Sequence, residues 1–130
     1  MEQSSLLEAQ RELLRRGLTP ASISALEALA STTQKPLASR VAALFCLKQG
    51  RAEASHPFLL KLCEEESIAA WAIRALVDRL EQVAQVPAEP FLKHGLQSKD
   101  ARTRLEALIA LARLNRVEHA TAIVPLMADE

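Results

Sequence analysis

The chain has no tyrosine, one tryptophan and three phenylalanines, and only three of its 130 residues are glycine. Strands draw on β-branched and aromatic residues, whereas leucine and alanine dominate here, so the composition selects helices over sheets. The three glycines are isolated, which removes a phosphate-cradling loop, and no Gly-x-Ser-x-Gly nucleophile elbow exists. An excess of either charge is also missing. Basic and acidic residues number 16 each. They cancel locally: residues 1–35 carry four of each, 36–66 four, 67–97 three and 98–130 five. A nucleic-acid binder shows a basic excess somewhere, because phosphate contacts supply most of its affinity; no nucleic acid is expected as a partner. No uncharged apolar run approaches the roughly 18–20 residues needed to cross a bilayer, so no membrane is expected either. The start, MEQSSLLEAQ, places Glu2 where a secretory leader would be basic. If the sequence is complete, a cytoplasmic protein is expected.

Cysteine is scarce too. Cys46 and Cys63 both sit in apolar helical contexts. A hairpin turning near Gly50–Ala52 would put position 46 opposite roughly position 57. The offset to 63 is about six residues, or roughly 9 Å, too far for a disulfide. Both read as buried small hydrophobes.

What is present is a hydrophobic fraction of 49%, enough for one folded domain with its own core. Ser5 with Glu8 forms a capping box for a first helix along Leu6, Leu7, Gln10, Leu13 and Leu14, which Gly17 stops. Thr19 caps and Pro20 opens a second helix that buries Ile23, Leu26, Leu29 and Ala30. After the loop STTQKP, Pro36 opens a third helix running to about Gln49, with Gly50 as its stop.

From there the chain repeats. RVAAL (40–44), AIRAL (72–76) and RLEAL (104–108) align at a period of 32 residues. Val41, Ile73 and Leu105 match, as do Ala43, Ala75 and Ala107, and Leu44, Leu76 and Leu108. Each such helix is followed by another: PFLLKL from Pro57, PFLKHGL from Pro90, and AIVPLM at 122–127. A period of this length with two helices per unit marks an α-α superhelix, or solenoid. Leu105, Leu108, Ile109 and Ala112 share one face and are expected to be covered by neighbours. Leu111 and Leu114 broaden the stripe, and the small residues Ala43, Ala75 and Ala107 let helices approach closely. About four antiparallel helix pairs are expected: an N-terminal pair or cap at 1–34, and repeats at 36–66, 67–98 and 99–130.

These units resemble HEAT-type (armadillo-like) repeats, whose first helices carry an arginine followed by an Ala-Leu core. Arg40 with AAL and Arg104 with EAL fit, with Asp100 as the cap ahead of Arg104. The middle unit departs, with Ala72 at the arginine position and Trp71 before it. The resemblance covers about residues 36–130 and implies scaffolding and protein binding. HEAT-like enzymes exist, among them iron-binding hydroxylases with repeated His-Glu pairs, DNA glycosylases and phycobilin lyases. This chain has Glu118–His119 once and no His-Glu pair.

No chemistry-bearing constellation emerges. His56, His94 and His119 have no metal-ligand spacing with each other or with cysteine. Neither cysteine has an evident base partner. No catalytic, cofactor-binding or metal-ligating residue is therefore expected. Trp71 reads as core. The run CEEES (63–67) reads as acids at the N-terminus of a helix starting near Ser67. First helices (36–51, 67–81, 99–116) carry +3, 0 and +3, and second helices with their exits (52–66, 82–98, 117–130) carry −3, 0 and −3. Either the two sides of the stack differ in sign, or helix dipoles account for it, with Lys48, Arg79 and Arg113 at first-helix ends; the dipole account is favoured.

The sequence ends on LMADE, which in earlier units precedes another first helix. It therefore reads as a block of a longer protein, with Pro125 kinking the last helix. Ile123, Leu126 and Met127 would form an exposed apolar end able to self-associate. The expected function is a non-enzymatic protein-interaction or scaffold module. Lys61, Glu89, Lys93 and His94 on second helices are its partner-facing residues. The alternatives are a structural spacer in a multidomain protein, and a HEAT-like enzyme of lyase or glycosylase type.

Overall fold

The structure, a computed structural model, describes residues 8, 9, 11, 12 and 14–129, with side chains up to residue 115. Every regular element among them is helical. Helix α1 lies within 8–16, and α2 spans Pro20–Ser31, α3 Leu37–Arg51, α4 His56–Leu62, α5 Ala69–Leu76 and α6 Ala101–Asp129. Short 3-10 turns occupy Ala52–Ser55 and Leu80–Gln82, and one π-helical turn occupies Phe91–Gly95. Ser5 of the expected first capping box lies outside the described residues, as do the side chains of His119, Ile123, Leu126 and Met127.

The local signals near the N-terminus act as their chemistry requires. Gly17 takes a positive φ of 83° after α1. Thr19 caps α2: its Oγ1 accepts from Ser22 N at 3.1 Å, while Thr19 N donates to Ser22 Oγ at 2.8 Å. Two oppositely placed orphan groups are thus satisfied, and Pro20 loses nothing in the first turn. Asp100 caps α6 by accepting from Thr103 N at 3.1 Å and Thr103 Oγ1 at 2.8 Å.

Four expectations about the helices' bounds need correction. First, α3 runs through Gly50 to Arg51, and Ala52 takes the positive φ of 49° that ends it. Gly50 serves close approach instead: a Cβ there would lie 2.5 Å from Leu18 Cδ1. Second, α5 is short. It starts at Ala69, two residues after Ser67, and ends at Leu76. No acid lies in its first turn. Glu65 instead accepts from Ser67 Oγ, Glu66 from Ser98 Oγ, and Glu64 faces His94. Third, the second helix of the middle unit is reduced to the π turn. Pro87 and Pro90 stand three residues apart, and neither can donate to a helical ladder. Fourth, no break separates 99–116 from 117–130: α6 is one 29-residue helix. Between Asp100 and Pro125 the sequence holds neither glycine nor proline, so nothing interrupts it.

Helix α5 is the centre of the packing, touching α3, α4, α6 and the π turn. Its sequence, AAWAIRAL, is apolar nearly all round, and every residue but Trp71 and Arg74 is buried. Small residues set the spacing to α6. A Cβ on Gly95 would lie 2.5 Å from Ala107 Cβ and 3.5 Å from Ile73 Cδ1, so the π turn, α5 and α6 meet at one point. The face of α6 turned to this point is Thr103, Ala107, Ala110 and Leu114. The leucine face, expected to be covered, is the open one. Leu105, Leu108 and Ile109 are exposed because the close approach at Gly95 admits alanine and not leucine.

Candidate functional site

Helix α4 buries Leu59 and Leu62 in the core, which leaves Leu60, Lys61 and the following Glu64 toward the outside. The π turn does the same with Phe91 and Gly95 inside and Lys93 and His94 outside. Between these two segments lies an open cleft of about 320 Å³ lined by Leu60, Lys61, Glu64, Pro87, Glu89, Pro90, Lys93 and His94. All four residues singled out from the sequence, Lys61, Glu89, Lys93 and His94, border it. The helix read from Pro90 is shortened to the π turn, and Lys93 and His94 face outward because Phe91 and Gly95 anchor the turn beneath them.

A second cleft of about 490 Å³ shares Glu64, Lys93 and His94 and continues along Cys63, Glu66, Gln97, Ser98 and Lys99. Together the two form one groove walled by three lysines and three glutamates. His94 Nε2 and Glu64 Oε1 stand 3.9 Å apart across it. Ser98 Oγ donates to Glu66 at the far end, Asp100 N donates to Ser98 Oγ at 3.1 Å, and Arg104 donates to the Ser98 carbonyl at 2.7 Å. Reading the sequence did not find Glu64, Ser98 and Lys99 as groove residues. The 32-residue separation of Glu66 and Ser98 was the available signal, since it equals the repeat period.

One cysteine, Cys63, borders the groove. Burial first, and then the neighbouring Glu64, push the Cys63 thiol up to about 12, so it is protonated at neutral pH. Burial also raises Cys46. Both cysteines are buried and free, as read from their helical offset. Among the described residues, no group of three or more His, Cys, Asp and Glu side chains could hold a metal ion. No described helix is long and apolar enough to cross a membrane.

Other strong polar contacts serve the fold. Arg40, 2% exposed, donates through Nε to the Ala30 carbonyl and through one terminal nitrogen to Ser67 Oγ, both at 2.9 Å. Its counterpart Arg104 is exposed and reaches back to Ser98 instead. Lys48, also 2% exposed, donates to the Ala75 carbonyl at 2.8 Å and pairs with Asp78 at 3.0 Å. Arg113 donates to the Val77 carbonyl at 3.2 Å. Cations of two other helices therefore meet the negative end of α5. This differs from the expected placement at each helix's own end: Arg113 lies within α6, and Arg79 lies beyond α5 and faces Glu81. Beside Lys48, His56 is held below its usual range, chiefly by burial and then by Lys48, with Glu53 and Asp78 opposing. Trp71 packs against the core while the Arg102 guanidinium lies 5.0 Å from its ring centre.

No family model, curated protein or solved structure matches the chain.

Proposed function

We propose that the chain is a non-enzymatic, HEAT-like interaction module that holds an extended segment of a protein partner in the groove between α4 and the π turn. The observation that carries this reading is the convergence of Lys61, Glu89, Lys93 and His94 on one open cleft continuous with a second. Charges of both signs line it, Lys61, Glu64 and Glu66 on one side and Glu89, Lys93 and Lys99 on the other, which favours a peptide bearing both charges over a uniformly charged polymer. Leu60, Pro87 and Pro90 give the floor apolar contact area. A solenoid-like stacking of the units is supported by the 32-residue period, and such stacks carry extended binding surfaces.

Selection from a displayed peptide library against the wild-type chain and against Lys61→Glu/Lys93→Glu tests it. Enriched peptides should bind the wild type, lose at least tenfold in affinity for the variant, and shift the amide resonances of residues 60–66 and 87–99. Peptides bound equally well by both proteins, or shifts confined to another surface, would overturn the reading.

A further inference from the structure

Arg40 is buried, and among the described residues no carboxylate pairs with it. Its Nε is taken by the Ala30 carbonyl and its Nη1 by Ser67 Oγ. Its Nη2 is buried as well and donates to nothing among the described residues. A buried cation ordinarily has an anion against it, and a buried N–H without an acceptor bears the full cost of its desolvation. Here an acid acts only at one remove. Glu65 Oε1 accepts from the Ser67 hydroxyl at 3.2 Å, so that hydroxyl stands between the guanidinium and the carboxylate.

Ser67 also stands two residues ahead of α5, whose start is bare. The N-cap residue, Ile68, makes no side-chain hydrogen bond to the helix, and no acid lies in the first turn. The matching place 32 residues on is Asp100, whose carboxylate caps α6 by accepting from Thr103 N and Oγ1. The start of α5 therefore lacks the anion that the start of α6 carries. A guanidinium with an unused donor and the positive end of a helix both lie beside one exposed hydroxyl, that of Ser67.

We propose that Ser67 is a phosphorylation site, and that Arg40 and the start of α5 receive the phosphoryl group on its Oγ. A protein kinase and a nucleoside triphosphate supply the step. Ser67 Oγ bonds to the γ-phosphorus, the bond from that phosphorus to the bridging oxygen breaks, the nucleoside diphosphate leaves, and the hydroxyl proton is lost to solvent. The new oxygens offer Nη1 and Nη2 two acceptors in the planar fork that a guanidinium favours. Glu65 loses its hydrogen bond, because Oγ no longer has a proton to donate. Glu64 and Glu66 add like charge nearby, but both are exposed and screened by solvent, whereas Arg40 is buried. The modification ties α3 to the start of α5. Neither Arg40 nor Ser67 lines the groove between α4 and the π turn, so the site is separate from it.

The full chain synthesised with phosphoserine at position 67 tests this, with phosphoserine at the exposed Ser31 as the control. Thermal unfolding should shift upward for the first and not for the second. In a phosphorus NMR titration of the folded chain, the second ionisation at position 67 should fall at least ~0.5 units below its ordinary value near 6. Arg40→Lys keeps a cation but lacks the fork, and in that background the displacement should shrink by half or more. Should Arg40→Lys misfold, the two phosphoserine chains alone decide. A melting temperature unchanged or lowered by phosphoserine at 67, an ordinary second ionisation there, or a displacement that persists in full in folded Arg40→Lys would each overturn the proposal.

Discussion

The ammonium of Lys48, on α3, donates to the carbonyl of Ala75 in the last turn of α5, at 2.8 Å. Ala75 lies 27 residues further along the chain, so one unit caps the helix of the next. Asp78 completes the arrangement at 3.0 Å.

Lys48→Met should therefore cost about 2–3 kcal/mol, toward the lower end for a broken buried pair because Asp78 is 29% exposed. Adding Asp78→Asn should recover part of the loss. Urea unfolding followed at 222 nm measures both, and equal stability of Lys48→Met and wild type would contradict the cap.

Gly95 admits α6 to the core, and a Cβ there meets Ala107 Cβ at 2.5 Å. Gly95→Ala should destabilise by about 1–3 kcal/mol through overpacking. Ala107→Gly in the same background should relieve the clash while adding its own helix penalty of about 1 kcal/mol. The interaction term of the double-mutant cycle is the measurement, and additivity would place the strain elsewhere.

His56 is buried, and its folded-state pKa lies below the ordinary 6.5. The unfolded chain thus binds the proton more readily. The stability contributed by the neutral ring is fully present above pH 6.5 and is lost as pH falls through the lowered folded value. Unfolding free energies should decline between pH 7 and 5.5, and His56→Gln should flatten that slope.

Both thiols should resist an aromatic disulfide reagent at pH 8 in the native protein and react together on unfolding. Cys63, raised to about 12, has almost no thiolate at that pH. Rapid native labelling of either cysteine would show that the core around it opens.

The helical class, the Thr19–Pro20 entry and the Asp100 cap are legible because each depends on neighbours within a few residues. The open face of α6 is not. Leu105–Leu108–Ile109 and Ala107–Ala110–Leu114 are both apolar stripes on one helix, and hydrophobicity ranks the leucines first. The choice is made by distance, since Gly95 brings the backbone too near for anything larger than Ala107. The fate of the middle unit's second helix is likewise decided by Pro87 and Pro90 together, although Pro90 alone reads as a helix start. The four groove residues were found by placing them on second helices. Their gathering into one cleft depends on Phe91 and Gly95 fixing a π turn that no periodicity announces.

Helix α5 is only eight residues long, too short to persist alone in water. It is nevertheless enclosed by α3, α4 and α6, and its end is held by Lys48 from one side and Arg113 from the other. Its amides can exchange with solvent only when the helices before and after it let go together. Short as it is, α5 should therefore show the slowest hydrogen exchange among the described helices, and damage to the helices on either side of it should be felt first as a loss of cooperativity there.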